Sequence, residues 1–349
     1  MAMLSALNTQ LKTSNSLLST FNFKLFVFHV EHGLRSSEES RGDAEFVRSF
    51  CKEQGIPCRI KHIPPGKIVS FAKRKGIGIE AAARHFRYKA LSETAQKLKN
   101  KLSGETPVCI LTAHTKDDAI ELTLMRILRG CGPAGLAFMT ERRDFGLGTW
   151  DLGSGKREEG KSGCELGTNQ VVVCRPLLEL TRADVIAYLT AKRVSWREDA
   201  TNADLKFLRN RVRGKLAPLL DENFPSWKKG VSAMAQTQSF VAEFIAEEAQ
   251  KRVRWNLISK NSLSTDASGF FSQPQIIREE AIFQAVDILL KKVKNYRTVK
   301  RAVARKFCSG AANAVNLGAV KVKCKGESII ISCDLEEFFE KGVSHRLCI

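Results

Sequence analysis

Three acidic side chains follow a short apolar run at residues 108–112 and form the most distinctive chemical cluster of the sequence. They are Asp117, Asp118 and Glu121, and His114 precedes them. Asp118 and Glu121 are three residues apart, so a helix beginning near Thr115 places both on one face. There they could bind Mg²⁺ or the ammonium group of an amine. Thr115 and Asp118 could instead form a capping box, but one cap does not need three acids, so we favour a functional site.

Basic residues form two further clusters that could bind phosphate. Arg84 and Arg87 share one face of a helix that begins near residue 79, and the planar fork of arginine suits phosphate oxygens. The alternative is structural, because Glu80 and Arg84 are spaced for an ion pair within the helix. His32 and Arg35 follow a strand-like run, and ligands of open α/β sheets bind beyond the carboxyl ends of strands. A solvated turn is the alternative there.

A fourth cluster alternates arginine with other residues behind an acidic loop that contains Asn202. Its members are Arg209, Asn210, Arg211 and Arg213. Such side chains donate to nucleic-acid phosphates and base edges. A solvated basic helix start explains them equally well.

The elements that must position these residues alternate between strand and helix, which predicts an α/β fold with a doubly wound, mainly parallel sheet. The predicted elements are strands at 23–30, 58–63, 108–113 and 171–174, and helices at 38–54, 79–99, 115–128 and 182–192. Residues 140–170 are rich in Gly, Ser, Lys and Glu, which predicts a mobile insertion. We expect this domain to cover residues 1–215.

After residue 213 the pattern becomes mainly helical. It predicts helices at 226–258, 276–293 and 297–308, and short strands at 314–323 and 328–333. We expect a second, mainly helical domain at residues 216–349 that ends in these strands.

The composition indicates a polyanionic partner. Lys and Arg number 56 against 37 Asp and Glu, a formal charge of +19, which is typical of nucleic-acid binding but also occurs in membrane-surface proteins. None of the ten cysteines forms a Cys-x-x-Cys motif, which favours a reducing compartment. No apolar run reaches the roughly 18 residues of a membrane span. We expect a cytoplasmic protein that binds no membrane, or an organellar one if a targeting segment precedes residue 1.

In this order the clusters resemble motifs of the tRNA(Ile)-lysidine synthetases, which belong to the PP-loop group of N-type ATP pyrophosphatases. Val30–Arg35 resembles the family's Val-Asp-His-Gly-Leu-Arg, with Glu31 in place of Asp, and Gly78–Tyr88 matches Gly-Ile-Glu-Ala-Ala-Ala-Arg-x-x-Arg-Tyr throughout. Ala113–Leu122 is similar to Ala-His-His-x-Asp-Asp-Gln-Ala-Glu-Thr with four departures. The family's Arg-Pro-Leu-Leu and its Glu-Asp…Arg-Asn-x-[Ile/Val]-Arg motif are found at Arg175–Leu178 and Glu198–Arg213.

The resemblance implies an adenine nucleotide α-hydrolase-like fold and a two-step ligation. ATP adenylates the C2 oxygen of the wobble cytidine of tRNA(Ile) with a CAU anticodon, and L-lysine then displaces AMP to give lysidine. The implied ligands are ATP with Mg²⁺, L-lysine and this tRNA, and a second copy of the chain is a further candidate partner. The second domain would also bind tRNA.

The resemblance also implies roles for individual residues. Asp118 and Glu121 would hold the lysine amine or Mg²⁺, with Asp118 as the candidate metal ligand, and Arg84 would steady the adenylate. The residues expected to line the nucleotide crevice are His32, Arg35, His114 and Asp117. Those expected to contact tRNA are Arg87, Arg209, Asn210, Arg211 and Arg213.

The family's Ser-Gly-Gly-x-Asp-Ser loop, which binds the pyrophosphate of ATP through backbone amides, does not occur in the 349 residues. We therefore expect the chain by itself to bind tRNA with scarcely any turnover. Two alternatives stay open, namely a non-catalytic RNA-binding relative and a related tRNA-thiolating ATP pyrophosphatase.

Overall fold

The computed structural model describes residues 24–34, 37–101, 108–144, 171–198, 204–290, 301–318 and 320–333. The chain divides into two compact units. The α/β unit contains the described residues of Met1–Met125, Met139–Phe145 and Gly155–Pro225, and the C-terminal unit contains those of Arg126–Phe138 and Ser226–Ile349. The domain boundary after residue 215 stays a prediction.

Strands and helices alternate through the α/β unit, which confirms the predicted fold class. The elements up to residue 225 are β1 (Val27–Glu31), α1 (Ser37–Glu53), β2 (Cys58–His62), α2 (Lys67–Lys75), α3 (Ile79–Lys101), β3 (Cys109–Leu111), α4 (Lys116–Arg129), α5 (Pro133–Leu136), β4 (Arg142–Asp144), β5 (Val172–Cys174), α6 (Arg182–Ala191), α7 (Leu208–Arg211), a π-helical turn (Val212–Leu216) and α8 (Ala217–Asn223). Of these, α5 belongs to the C-terminal unit. Helix α2 was not predicted.

Parallel pairing dominates the described strands of the α/β unit. β1 pairs parallel with β2, and β3 pairs parallel with β5, whose other edge carries β4 in antiparallel orientation. Helix α3 packs against both β1 and β3. Residues 145–170 of the predicted insertion lie outside the described residues, whereas Arg142–Asp144 form β4, so the prediction of a loop is wrong at that end.

Small apolar side chains let the helices approach these strands closely. One buried cluster joins Ile63, Ile68 and Ala72 to Ala82 and Ala83 of α3. Gly33 is needed where the chain leaves β1, because a Cβ there would lie 2.6 Å from the carbonyl oxygen of Ile63 and its φ is +60°. The end of β1 therefore lies against the segment that follows β2.

The C-terminal unit combines helices with an antiparallel sheet. Its remaining elements are α9 (Trp227–Arg252), β6 (Asn256–Ser259), β7 (Ser262–Asp266), α10 (Ala267–Phe271), α11 (Gln275–Leu290), α12 (Arg301–Cys308), β8 (Ala314–Asn316), β9 (Val320–Lys325) and β10 (Ser328–Cys333). The five strands follow the order β6-β7-β10-β9-β8. Phe270, Phe307, Ile282, Ile329 and Ile331 are fully buried at its centre.

The helix predicted at 226–258 is wrong at its end. Helix α9 ends at Arg252, and Asn256–Ser259 form strand β6 instead. The indole nitrogen of Trp255 donates to the carbonyl oxygen of Ala281, and Val253 is buried, so packing against α11 takes the place of the last predicted helical turn.

No helix in the described part of the chain has both the length and the apolar character needed to cross a bilayer. No disulfide joins the described cysteines.

Candidate functional site

The first turn of α4 is held by a capping box between Thr115 and Asp118. Oδ2 of Asp118 accepts from the backbone amide of Thr115 at 2.9 Å and from its hydroxyl at 3.1 Å, and the amide of Asp118 donates to Thr115 Oγ1 at 3.4 Å. Asp118 therefore does cap the N-terminus of α4. The cap occupies one carboxylate oxygen and leaves Oδ1 for other partners.

Oδ1 of Asp118 and the carboxylate of Glu121 receive three guanidinium groups. Arg209 donates to Asp118 Oδ1 at 2.7 Å and to Glu121 Oε2 at 3.2 Å. Arg213 donates to Glu121 Oε1 and Oε2 at 2.7 and 2.8 Å and to Asp118 Oδ1 at 3.2 Å. Nη2 of Arg182 lies 3.6 Å from Glu121 Oε1 and 3.9 Å from Asp118 Oδ1. We call these five residues the acid–arginine cluster.

The acids of this cluster are more buried than the arginines. The Glu121 side chain is 6% exposed and that of Asp118 is 15% exposed, against 41% for Arg182. Burial would raise the pKa of Asp118, but the Thr115 amide and the Arg209 charge outweigh it and hold the pKa below its ordinary value. Burial likewise acts to lower the pKa of Arg213, and its bond to Glu121 reverses the effect and raises it. With three guanidinium groups on two carboxylates, the cluster carries a net positive charge.

Asp117 binds a different helix. Its Oδ2 accepts from the backbone amide of Arg182 at 2.6 Å, and the amide of Lys116 donates to the carbonyl oxygen of Leu180 at 2.9 Å. Thr181 begins α6 with its own capping box to Asp184. Asp117 therefore ties the start of α4 to the start of α6 and places Arg182 beside the acids.

His114 lies between β3 and α4, close to several cations. Its Nδ1 lies 2.9 Å from the Thr112 hydroxyl. Burial, together with the charges of Arg84 and Arg175, lowers the pKa of His114 to about 4. The imidazole is therefore neutral at pH 7.

Arg84 and Arg175 face this histidine from two elements. The guanidinium of Arg84 lies 4.7 Å from the ring centroid of Tyr88 and 3.4 Å from its hydroxyl. Arg175, 6% exposed, follows β5 and donates from Nη1 to the carbonyl oxygen of Thr140 at 2.6 Å. Burial lowers the pKa of Arg175. Two positive charges beside a neutral imidazole form an environment that favours an anion such as phosphate.

At the end of β1, His32 contacts Arg87 of α3. Nε and Nη2 of Arg87 each lie 3.3 Å from His32 Nε2. Neighbouring Glu31 pairs with His62 at the end of β2. Arg35 lies outside the described residues. The two phosphate-binding clusters predicted around residues 32 and 87 thus form one contact.

Asn210 and Arg211 hold the turn before α7. Nδ2 of Asn210 donates to the carbonyl oxygen of Asp204 at 2.8 Å, and Arg211 Nη1 donates to those of Leu205 and Lys206 at 3.0 and 3.1 Å. Of the four residues predicted to contact tRNA in this segment, two therefore shape a turn and two, Arg209 and Arg213, pair with the acids.

The structure thus brings the predicted site residues together in three groups: His114 with Arg84, His32 with Arg87, and Asp118 and Glu121 with Arg209 and Arg213. Sequence reasoning missed Arg182, whose position at the start of α6 offered no signal of its partners. It also gave no role to Arg175, although the Arg-Pro-Leu-Leu motif contains it.

The acid–arginine cluster as it stands does not fit a protein-held Mg²⁺. Among the described residues, no group of three or more His, Cys, Asp or Glu could hold a metal ion. Oxygen atoms of both acids already accept from guanidinium groups, and a divalent cation would add charge to a cluster that has an excess of it.

The α/β unit has parallel strands, and beyond their ends lie arginines, a neutral histidine and paired acids. This arrangement is typical of a nucleotide-binding protein with the adenine nucleotide α-hydrolase-like fold. Residues 1–220 match the PP-loop domain model. The chain belongs to the PP-loop family.

Curated relatives named tRNA(Ile)-lysidine synthase confirm the predicted resemblance. The protein of Treponema denticola is 33% identical over 245 residues, covering 70% of this chain and 46% of the relative. That of Solibacter usitatus is 31% identical over 310 residues, covering 88% and 56%. That of Thermus thermophilus is 32% identical over 227 residues, covering 65% and 37%. The chain thus spans about half the length of the curated relatives it matches. Among solved structures, a U34-tRNA thiolase from Methanococcus maripaludis aligns at 15% identity and a TM-score of 0.40, covering 69% of this chain and 68% of that one.

Proposed function

We propose that this chain supplies the site for the ATP-dependent ligation of L-lysine to C2 of the wobble cytidine of tRNA(Ile) with a CAU anticodon, through an adenylated tRNA. The relatives' names support the proposal, and the partly buried Asp118 and buried Glu121 beside the Arg84–His114 group carry it. A buried acid pair can select an amine, and the adjacent cations can hold phosphate.

In the first step the cytosine C2 oxygen attacks the α-phosphorus of ATP and pyrophosphate leaves. The charge that develops on the phosphoryl oxygens is met by Arg84, with Arg175 behind it. Neutral His114 lines the crevice and offers a hydrogen bond without adding charge. In the proposal His32, Arg35 and Asp117 border the same crevice, and Mg²⁺ enters only with the phosphates of ATP.

In the second step the ε-amine of lysine attacks C2, AMP leaves and the amine loses a proton. Because Asp118 and Glu121 are already paired, the lysine ammonium must replace a guanidinium before the acids can hold it. Arg182 is the first to yield, since it is the most exposed of the three and makes the longest contacts, 3.6 and 3.9 Å. The released arginine becomes free to meet a tRNA phosphate, as proposed for Arg87, Arg209, Asn210, Arg211 and Arg213.

The test is the transfer of labelled lysine to a CAU-anticodon tRNA(Ile) in the presence of ATP and Mg²⁺. Because the reaction needs a pyrophosphate-binding loop, the 349-residue chain is compared with the same chain joined to a strand and a Ser-Gly-Gly-x-Asp-Ser loop. We expect transfer by the joined protein, scarcely any by the chain alone, and none after Asp118→Asn.

The control is Glu179→Gln, a change of an exposed acid in the segment between β5 and α6. Undiminished lysine transfer by the Asp118→Asn variant would contradict the proposed role of Asp118 and Glu121 in binding the lysine amine. Tight tRNA binding without any transfer in the joined protein would favour the non-catalytic RNA-binding alternative.

A further inference from the structure

Helices α2 and α3 of the α/β unit border an open cleft of about 450 Å³ that the proposed reaction does not use. Its lining includes Gly66, Lys67, Ser70, Phe71, Arg74 and Phe86. A volume of this order accommodates one nucleotide, since ligand pockets span roughly 300–1,000 Å³.

Two aromatic rings line the cleft and pack against neighbouring side chains. The rings of Phe71 and Phe86 meet edge to face with centroids 5.2 Å apart, and Phe71 also stacks on His85 at 4.9 Å. Both phenylalanines pack on the buried cluster that contains Ile68 and Ala82. Rings that pack on the core along one side can stack a flat partner with little further loss of conformational entropy.

Two cations border these rings. Nζ of Lys67 lies 5.9 Å from the Phe86 centroid, and the guanidinium carbon of Arg74 lies 5.7 Å from that of Phe71. Both side chains are exposed. Within the described residues no acid pairs with Lys67, Lys73 or Arg74, and α2 itself contains no acid. The cleft therefore presents aromatic faces together with uncompensated positive charge.

We propose that this cleft binds one unpaired nucleotide of a single-stranded RNA loop, with its base against Phe71 and Phe86 and its phosphate between Lys67 and Arg74. Aromatic faces and cations at this spacing match the two halves of a nucleotide. An acidic peptide would pair with the cations but would leave the aromatic faces without a stacking partner. The RNA partner rests on the proposed function and on the net charge of +19.

The experiment measures binding of the full 349-residue chain to fluorescently labelled tRNA by anisotropy, between about 50 and 200 mM salt. Arg74→Glu should weaken binding about tenfold and reduce the salt slope by about one or more. Phe86→Leu, which keeps an apolar side chain in the core, should weaken binding about tenfold and leave the salt slope unchanged.

Two controls match these variants. Lys97→Glu makes the same kind of charge change as Arg74→Glu on an exposed position farther along α3, and Trp196→Leu removes an exposed ring of the same unit that does not line the cleft. Both should bind like wild type. If Phe86→Leu fails to fold, judged by circular dichroism, Phe71→Tyr with its larger stacking face should bind at least as tightly as wild type.

The source of the nucleotide is resolved by competition. A single-stranded oligonucleotide should displace labelled tRNA, and a duplex of the same length should do so less well. Displacement from the cleft by free AMP as effectively as by the oligonucleotide would make it a mononucleotide site and overturn the proposal, as would unchanged binding in both cleft variants. Because the readout is binding alone, loss of tRNA affinity in the variants upholds the cleft even where no lysine is transferred.

Discussion

Arg213 donates to both carboxylate oxygens of Glu121, at 2.7 and 2.8 Å, across 92 residues of sequence. The contact joins α4 to the π-helical turn that follows α7. Because the Glu121 side chain is 6% exposed, water cannot replace either partner easily. The pair therefore positions the acid and also stabilises the α/β unit.

A double-mutant cycle should detect this coupling. Glu121→Ala and Arg213→Ala, alone and combined, should give an interaction free energy of about 1–3 kcal/mol in urea unfolding, because each single change removes the shortest ion-pair contact of the other, largely buried side chain. The matched pair is Lys89 with Glu93, which lie 4.0 Å apart with both side chains more than half exposed; its coupling should stay below about 0.5 kcal/mol. Equal couplings in the two cycles would contradict the assignment.

Asp117 is predicted to stabilise the fold through the amide of Arg182. Asp117→Ala removes the 2.6 Å hydrogen bond and should lower the free energy of unfolding by about 1 kcal/mol, as for the loss of a helix cap. Glu179→Ala nearby serves as the control, since no hydrogen bond or ion pair of Glu179 occurs within the described residues. Unchanged stability in Asp117→Ala would leave nucleotide binding as its sole role.

Local patterns predicted the elements well where a strand or helix signal was unambiguous. The bulky run before His32 predicted β1, and Thr115 predicted the start of α4 within a residue. Helix α2 was not predicted, although Ile68 and Ala72 are spaced to share one helical face and glycines flank the segment. Both glycines, Gly66 and Gly76, have positive φ in the structure.

Long-range partners could not be predicted in the same way. The acids at 118 and 121 were identified from their spacing, but nothing local indicates which of the chain's many arginines meets them. Arg209 and Arg213 were assigned to tRNA because a basic segment suits phosphate. The fold brings them to the acids, a contact that only packing between distant segments decides, and their contact with tRNA stays a prediction.

His114 should make stability depend on pH. The pKa of His114 in the folded chain is about 4, below the ordinary value near 6.5. Between these two pH values the histidine is protonated in the unfolded chain but not in the folded chain. Stability contributed by the neutral ring is complete above about pH 6.5 and is lost as the pH falls toward 4.

We therefore expect the wild-type free energy of unfolding to fall on the order of 2 kcal/mol more than that of His114→Gln between pH 7 and pH 4.5. Denaturant midpoints across this range give the measurement. Between pH 7 and 8.5 the difference between the two proteins should stay constant, which serves as the internal control. If the free energies of unfolding of wild type and His114→Gln changed in parallel at all pH values, the pKa of His114 would be the same in the folded and unfolded chains.

The Cys174 thiol should be unusually reactive at neutral pH. Register places Arg142 of β4 directly opposite Cys174, and Cys109 lies on the same face of neighbouring β3, two residues from the partner of Cys174. The hydrogen bond with Cys109, and the charges of Arg142 and Arg175, outweigh burial and lower the pKa of Cys174 to about 7.

About half of this thiol is then ionised at pH 7, against a few per cent for an ordinary cysteine, so its alkylation by iodoacetamide should be about tenfold faster. Cys109→Ala removes the hydrogen-bond partner and should slow the reaction at pH 7. The rate at Cys174 should change much less at pH 9, which lies above the ordinary thiol pKa near 8.5. Peptide mass spectrometry of timed samples measures the rate at each site, and Cys324→Ala is the matched control. A rate at Cys174 that is indifferent to residue 109 would show that the hydrogen bond does not set its ionisation. If only removal of the Arg142 charge shifts the pH profile of Cys174 alkylation, the lowered pKa of Cys174 is due to Arg142 of β4 and not to Cys109.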